Sequence, residues 1–293
     1  MPVPRVSFEF FPPQSLEASF RLWETARALA PLNPSFVSVT YGAGGTTRDL
    51  THEAVTTIGR EFGVQVAAHL TCVQATKAET LAIARRYAEA GVTQIVALRG
   101  DPPKGAAGGA GRFVPHPQGF ADTVELVAAL KAEGRFTIRV GAYPEPHPEA
   151  ADPGADVRWL KRKFAAGADS AITQFFFEAE TFLRFRDTCA AQGLPAERIV
   201  PGILPIQSWA GARKFAARCG ARVPAWLDEA FDKAARDGRE ALLATALCTE
   251  MCDELIREGV EDLHFYTLNR PHLTREVCHA LGVTAPVALA QVA

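Results

Sequence analysis

The stretch Arg5-Val-Ser-Phe-Glu-Phe-Phe-Pro-Pro13 sets one ionisable carboxyl, that of Glu9, inside an apolar run that the Pro-Pro pair must end. Written as a strand, its side chains alternate, so Ser7, Glu9 and Phe11 share one face while Val6, Phe8 and Phe10 share the other. A carboxylate in such a run needs a partner or a raised pKa, because burying it bare is expensive. Two chemistries fit. One is a buried salt bridge tying the strand to its neighbours; the other is a general acid whose surroundings keep its proton on near neutral pH. The stretch alone leaves both open.

A second chemical cluster is Tyr143-Pro-Glu-Pro-His-Pro-Glu-Ala150, in which three prolines stiffen a loop carrying an aromatic, a histidine and two carboxylates. It leads to Asp156 and then to Lys161-Arg-Lys163. Charge pattern alone reads that basic run as a solvated helix face, with a diphosphate clamp as the alternative. The glycine-rich Gly105-Ala-Ala-Gly-Gly-Ala-Gly111 does not run from a strand straight into a helix. It is therefore a poor dinucleotide-binding match and reads as a mobile loop over the active face. Six cysteines show no C-x-x-C pair and no Cys/His metal spacing, and Cys248 and Cys252, one helical turn apart, read as buried thiols rather than a disulfide. No metal site is expected.

These residues need a scaffold, and the chain spells one out. Apolar, β-branched runs begin near Arg5, Phe36, Val64, Gln94, Thr137, Ala171, Arg198 and Asp262. Helical spacing fills the gaps: Leu16 to Leu29, Thr46 or Thr47 to Phe62, Thr76 to Gly91 with Glu79 as capping-box partner, and Ala121 to Glu133. Further helices run from about Asp156 to Ala166, Ala179 to Ala191, Ser208 to Cys219, Pro224 to Lys233, Arg239 to Glu258 and Leu273 to Leu281. Strand and helix alternate about eight times, which implies an α/β fold, a (β/α)8 TIM barrel forming a single domain over residues 1–293. A doubly wound open sheet is the runner-up.

Barrel chemistry gathers where strands exit. Those places hold Glu9, Thr40 with Tyr41, His69, Arg99 with Asp101, Tyr143, Gln174, and Asn269 with Arg270. This clustering favours the acid reading of Glu9. No strand carries a lysine for a Schiff base. His69 and His264 fall on distant strands, and His264, early in its own, reads as a core or helix-facing residue.

Composition excludes other classes. The chain has 293 residues, 48% hydrophobic and 22% charged, with a net charge of −2 and scattered basic residues, which leaves no footprint for nucleic acid or an anionic membrane. No apolar run reaches the roughly 20 residues that span a bilayer, and Met1-Pro-Val-Pro-Arg5 leaves no room for a signal peptide, so a cytoplasmic location is expected.

The motifs Ser7-Phe-Glu-Phe-Phe-Pro-Pro13, Phe36-Val-Ser-Val-Thr-Tyr-Gly42, Ala68-His-Leu-Thr-Cys72, Ala97-Leu-Arg-Gly-Asp101, Leu160-Lys-Arg-Lys163, Ile172-Thr-Gln-Phe-Phe-Phe177, Pro201-Gly-Ile-Leu-Pro205 and Phe265-Tyr-Thr-Leu-Asn-Arg270, with the 142–149 loop, occur in order over nearly the whole chain. Together they resemble the methylenetetrahydrofolate reductase family. The resemblance implies an FAD enzyme that carries hydride from NADH or NADPH to 5,10-methylenetetrahydrofolate in a ping-pong scheme. Its product, 5-methyltetrahydrofolate, feeds methionine synthesis. It also implies a homo-oligomer, and, as only the catalytic barrel is matched, no S-adenosylmethionine control. A proline-oxidising flavin barrel and a non-catalytic flavin or folate carrier are the alternatives.

Position by position, the resemblance makes Glu9 the general acid that opens the folate ring, and Asp101 the carboxylate near flavin and pterin. Gln174 becomes a pterin-binding amide, Thr40 a nicotinamide contact, Phe215 an aromatic stacking on substrate, and Arg270 a folate contact. The implied FAD set is Tyr41, Ala43, His69, Arg99, Gly100, Asp101, Ala121, Tyr143, His147, Ala150, Asp156, Arg162 and Lys163. Trp159 stands where a small polar cofactor contact is expected, and Gly211 where a folate-contacting glutamine is expected.

Overall fold

The computed structural model describes residues 2–41, 48–101 and 113–285. In chain order its strands are β1 (Arg5–Phe10), β2 (Phe36–Val39), β3 (Val66–Thr71), β4 (Gln94–Leu98), β5 (Thr137–Ala142), β6 (Ser170–Thr173), β7 (Ile199–Val200), β8 (Gly202–Ile203) and β9 (Asp262–Tyr266). The helices are α1 (Leu16–Leu29), α2 (Arg48–Phe62), α3 (Lys77–Glu89), α4 (Thr123–Ala132), α5 (Ala155–Ala165), α6 (Ala179–Ala191), α7 (Trp209–Cys219), α8 (Ala225–Arg236), α9 (Glu240–Arg257) and α10 (Pro271–Ala280).

All described strand pairings are parallel, in the order β7-β6-β5-β4-β3-β2-β1-β9-β8. The last two names close the circle. β7 pairs with β6 and β8 with β9, and the two are one chain segment interrupted at Pro201, which has no N–H for the ladder. Pro201 still accepts from His264 N at 3.0 Å, so the nine short strands form eight staves and the expected (β/α)8 barrel.

Alternation along each strand sorts the core into two layers. Val6, Phe8 and Phe10 of β1 belong to the large cluster between staves and helices, together with Leu22, Ala26 and Leu29 of α1. The inward faces build a smaller cluster of Phe36, Ala67, Val96 and Ile172 inside the barrel. Helix ends follow local chemistry: Thr76 and Glu79 form the expected capping box on α3, and Ser15 and Ser208 accept from Ala18 N (3.1 Å) and Gly211 N (3.2 Å). The expected caps Thr46 and Thr47, and the loop Gly105 to Gly111, lie outside the described residues. All six cysteines are free and five of them are buried.

Several strands end earlier than their apolar runs. Thr40, Tyr41, Tyr143 and Gln174 lie just past the last ladder residues, where the backbone turns out of the sheet. α4 starts at Thr123 with Asp122 as its cap, because the Asp122 carboxylate accepts from Glu125 N at 2.9 Å, so Ala121 lies before the helix.

Gly202 is a required glycine. A Cβ built there would stand 2.2 Å from Thr173 O and within 2.8 Å of the Tyr266 ring and hydroxyl. Gly202→Ala should lower stability by about 1–3 kcal/mol through overpacking, read by urea unfolding. Full stability in that variant would show that β6 and β9 can part at no cost.

Candidate active site

Glu9 stands on the wall of a cavity of about 960 Å³ at the exit end of the barrel, shared with Thr40, His69, Asp101, Gln174, Phe215, Tyr266 and Asn269. β1 is held in register by the exit of β9. Thr267 Oγ1 donates to Glu9 O at 2.7 Å, and the Asn269 amide both accepts from Phe11 N and donates to Phe11 O at 2.9 Å. The side chain thus continues the ladder where Pro12 ends it. Leu268 and Asn269 both take left-handed backbone angles (φ 51° and 52°) to make this turn, a strained geometry of the kind kept at functional sites.

The Glu9 side chain is 16% exposed, and that exposure opens onto the cavity. Its Oε2 lies 3.4 Å from His69 Nε2 and 3.8 Å from His264 Nε2. Burial pushes the Glu9 carboxyl up, but the two facing imidazoles outweigh burial and hold it below its ordinary value in the ligand-free protein. The expectation of a proton retained by an apolar strand is therefore overturned for the free site. The strand's own sequence could not show two imidazoles arriving from β3 and β9.

His264 is a core residue, as one of its two sequence readings has it, and it faces the barrel interior rather than a helix: it is fully buried, its Nδ1 lies 2.8 Å from Ser7 Oγ, and its ring stacks on Phe36 with centroids 5.5 Å apart. Register explains this, since β1 and β9 pair Ser7 with His264 and Glu9 with Tyr266. His69 and His264, far apart in sequence, meet on one carboxyl because the sheet closes. Tyr266, which the sequence reading did not single out, donates its hydroxyl to Thr173 O at 2.6 Å and lies edge-on to His264 and Phe175. The period-2 face Asp262, His264, Tyr266 was the available signal.

A second cleft of about 400 Å³ adjoins the first, and Tyr41, Asp101, Tyr143 and His147 line both. It is also lined by Arg99, Gly100, Asp122, Ala150, Asp156, Trp159 and Lys163. The proline-rich loop wraps around His147. Asp156 accepts from His147 N at 2.9 Å, His147 Nδ1 accepts from Glu149 N at 3.1 Å, and Tyr143 meets the imidazole edge-on at 4.7 Å. Burial pulls the His147 pKa down. Arg99 pairs with Glu149 and lies 5.1 Å from the Phe113 ring. Gly100 takes φ +87°, and a Cβ there would strike Thr71 and Val73 at 2.8–2.9 Å, so the turn between Arg99 and Asp101 needs glycine.

Lys163 is the electrostatic oddity of this cleft. It is only 6% exposed, and among the described residues its ammonium donates to one acceptor, Gly141 O, at 2.7 Å. Burial pushes its pKa down to about 8, with Asp156 opposing. A desolvated cation with donors to spare, lining this cleft, fits an anionic group such as a diphosphate.

The structure brings most of the sequence-derived set together. Tyr41, Arg99, Gly100, Asp101, Tyr143, His147, Ala150, Asp156 and Lys163 line the smaller cleft, and Glu9, Thr40, His69, Gln174 and Phe215 the larger cavity. Gln174 Oε1 accepts from Phe175 N at 3.0 Å, so its NH2 is the part left to the cavity, and Phe215 stacks on Phe175 at 5.1 Å. Ala43 lies outside the described residues. Ala121 is exposed and spends its N–H on Glu125, while its neighbours Asp122 and Thr123 line the cleft. Arg162 is exposed and sits 4.3 Å from the ring of Trp159, the residue that itself reaches the cleft. Arg270 is exposed at the start of α10, beside the cavity-lining Asn269. Gly211 sits in the first turn of α7, its N–H taken by Ser208.

Comparison with known proteins gives one consistent result. The family model described as methylenetetrahydrofolate reductase matches residues 3–282. The 5,10-methylenetetrahydrofolate reductase of Escherichia coli (strain K12) is 47% identical over 279 residues, covering 95% of this chain and 90% of that one. Its counterpart in Pectobacterium carotovorum subsp. carotovorum is 46% identical, with 97% and 92% covered. Methylenetetrahydrofolate reductase (NADH) 1 of Zea mays is 36% identical over 90% of this chain, which spans 46% of the maize protein. A solved Clostridium thermocellum protein, described as binding two copies of 5-methyl-5,6,7,8-tetrahydrofolic acid, superposes with a TM-score of 0.59. That match covers 96% of this chain and 95% of the other at 10% identity, and so bears on fold alone.

Proposed function

This chain belongs to the methylenetetrahydrofolate reductase family, and we propose that it reduces 5,10-methylenetetrahydrofolate to 5-methyltetrahydrofolate with FAD and NADH or NADPH. The observation that carries the reading is Glu9, a carboxyl aimed into a cavity large enough for a folate ring system and flanked by an amide and an aromatic ring.

FAD fits the smaller cleft by the chemistry of its wall. Lys163 is a buried cation with one acceptor among the described residues and would hold the diphosphate; Asp156 and Tyr143 line the same cleft, and Gly100 lets the backbone pass close. Bound there, FAD would supply the two-electron hydride exchange between the nicotinamide and the folate. Tyr41 and Asp101 line both spaces, so a group in the cleft borders whatever occupies the cavity. Thr40, proposed for the nicotinamide, and Gln174 and Phe215, proposed for the folate, line that single cavity. Sharing one space favours substrates that take turns, hence a ping-pong order. The maize relative carries NADH in its name, while both nicotinamide donors remain within the proposal.

The chain's own part in the reduction is positional and acidic. Phe215 stacks on the substrate, and the Gln174 NH2 meets the acceptors of the pterin edge. Glu9 delivers a proton to the bridging nitrogen of the folate, which opens the five-membered ring to the cation that accepts hydride. A ligand filling the cavity removes the remaining water from Glu9. That raises the cost of the carboxylate and moves the carboxyl toward its protonated form.

The purified protein should show flavin absorbance, or gain it when FAD is added. Anaerobic NADH or NADPH should bleach it, and 5,10-methylenetetrahydrofolate should restore it. A protein that neither carries nor takes up flavin would sink this reading.

A further inference from the structure

An acid must hold its proton, yet Glu9 shares its pocket with two imidazoles that compete for it, His69 and the fully buried His264. One proton between Glu9 and His264 can rest as imidazolium against carboxylate, or as carboxylic acid against a neutral ring. Only the second arrangement serves an acid. What faces His264 decides between them: Ser7 and Glu9 from β1, Phe36 from β2, His69 from β3, Arg139 from β5 and Tyr266 from its own strand.

Arg139 is the unexpected member. It projects from β5 into the barrel interior, with its guanidinium carbon 3.8 Å from the centroid of Phe36, the same ring that stacks on His264. Its Nη1 is buried and has no hydrogen-bond partner among the described residues. The nearby carboxylates are committed elsewhere. Asp262 takes two hydrogen bonds from Arg5 at 2.8 and 2.6 Å, and Asp169 takes Ile138 N at 2.8 Å and Lys131 at 3.1 Å. A largely buried cation with no ion pair among the described residues is a cost to the fold unless it serves something else.

We propose that Arg139 is a positioning residue for the acid step: its guanidinium, set against the Phe36 ring beneath His264, repels a proton from that imidazole, so the proton that the Glu9–His264 pair takes up when a ligand fills the cavity rests on the carboxyl. Burial is the largest influence keeping His264 neutral, and the Arg139 charge acts in the same direction, against the pull of Glu9. Burial draws Arg139 itself down to about 10, which leaves it charged at neutral pH. The step moves one proton between two bases and needs no other reactant. Within it, Ser7 Oγ, 2.8 Å from Nδ1, accepts from or donates to the ring according to its tautomer.

This inference rests on the reading of Glu9 as the folate acid, and the test separates the two. The ring nitrogens of His264 are followed by NMR in histidine-labelled protein, assigned with His264→Gln. Wild-type His264 should stay neutral at pH 7. In Arg139→Met its titration should move up by about one pH unit, while Arg139→Lys, which keeps the charge, should titrate like wild type. In the same variants, Arg139→Met should slow folate reduction about tenfold with unchanged KM for folate and unchanged flavin reduction by NADH or NADPH. An imidazolium at pH 7 in the wild type overturns the proposal even if Arg139→Met does not fold, and so does a wild-type titration in Arg139→Met. If Glu9→Gln leaves folate reduction intact, the acid reading fails instead.

Discussion

Glu9→Gln should slow folate reduction by about 10²–10⁴-fold while NADH or NADPH still reduces the bound flavin within a few-fold of the wild-type rate. The amide matches the carboxyl in shape and can still accept from the facing imidazoles, so the cavity keeps its form. It has no proton to give the folate nitrogen, and that step alone is starved. Anaerobic stopped-flow of the two half-reactions separates them. Equal loss in both would return Glu9 to the role of a strut between β1, β3 and β9, with the 3.4 and 3.8 Å imidazole contacts as its purpose.

Lys163→Met should have opposite effects on the empty and the loaded protein. Burial holds the ammonium at about 8 against an ordinary 10.5, and at about 1.4 kcal/mol per pH unit that penalty is on the order of 3 kcal/mol. Methionine fills similar space without a charge, so the FAD-free variant should melt higher than wild type at pH 7. FAD binding should weaken by about 10–100-fold, because a charge-assisted bond to phosphate is lost. The pH dependence has a definite sign. Between about 8 and 10.5 the unfolded lysine keeps a proton that the folded one has released, so wild-type stability rises with pH there and is flat below. The variant should lack that rise. Thermal melts with and without FAD across this window decide it; a variant less stable at pH 7 without FAD would mean that the Gly141 contact outweighs burial.

Much of this was legible along the chain. The alternation of strand and helix carried the barrel, and the capping box at Thr76 and Glu79 and the whole span of α1 appear where local patterns place them. The exit-end rule found Glu9, Thr40, Tyr41, His69, Arg99, Asp101, Tyr143 and Gln174, which the fold gathers around two adjoining spaces. The basic run at Lys161 to Lys163 could not be resolved by charge pattern. Helical rotation buries Lys163 in the cleft and leaves Arg162 outside on Trp159.

By itself, then, the sequence determined which strand face Glu9 occupies, the repeating unit that carries it and the family to which the motifs belong, because these depend on periodicities of two and about 3.6 residues and on ordered local motifs. Only the tertiary structure decided the state of that carboxyl. Closure of the sheet sets β9 beside β1 and brings β3 across from it, so His264 and His69 reach Glu9, and Arg139 lies against Phe36 below them. A pKa depends on distances between charges and on the water excluded around them, and neither is a property of neighbours in the chain.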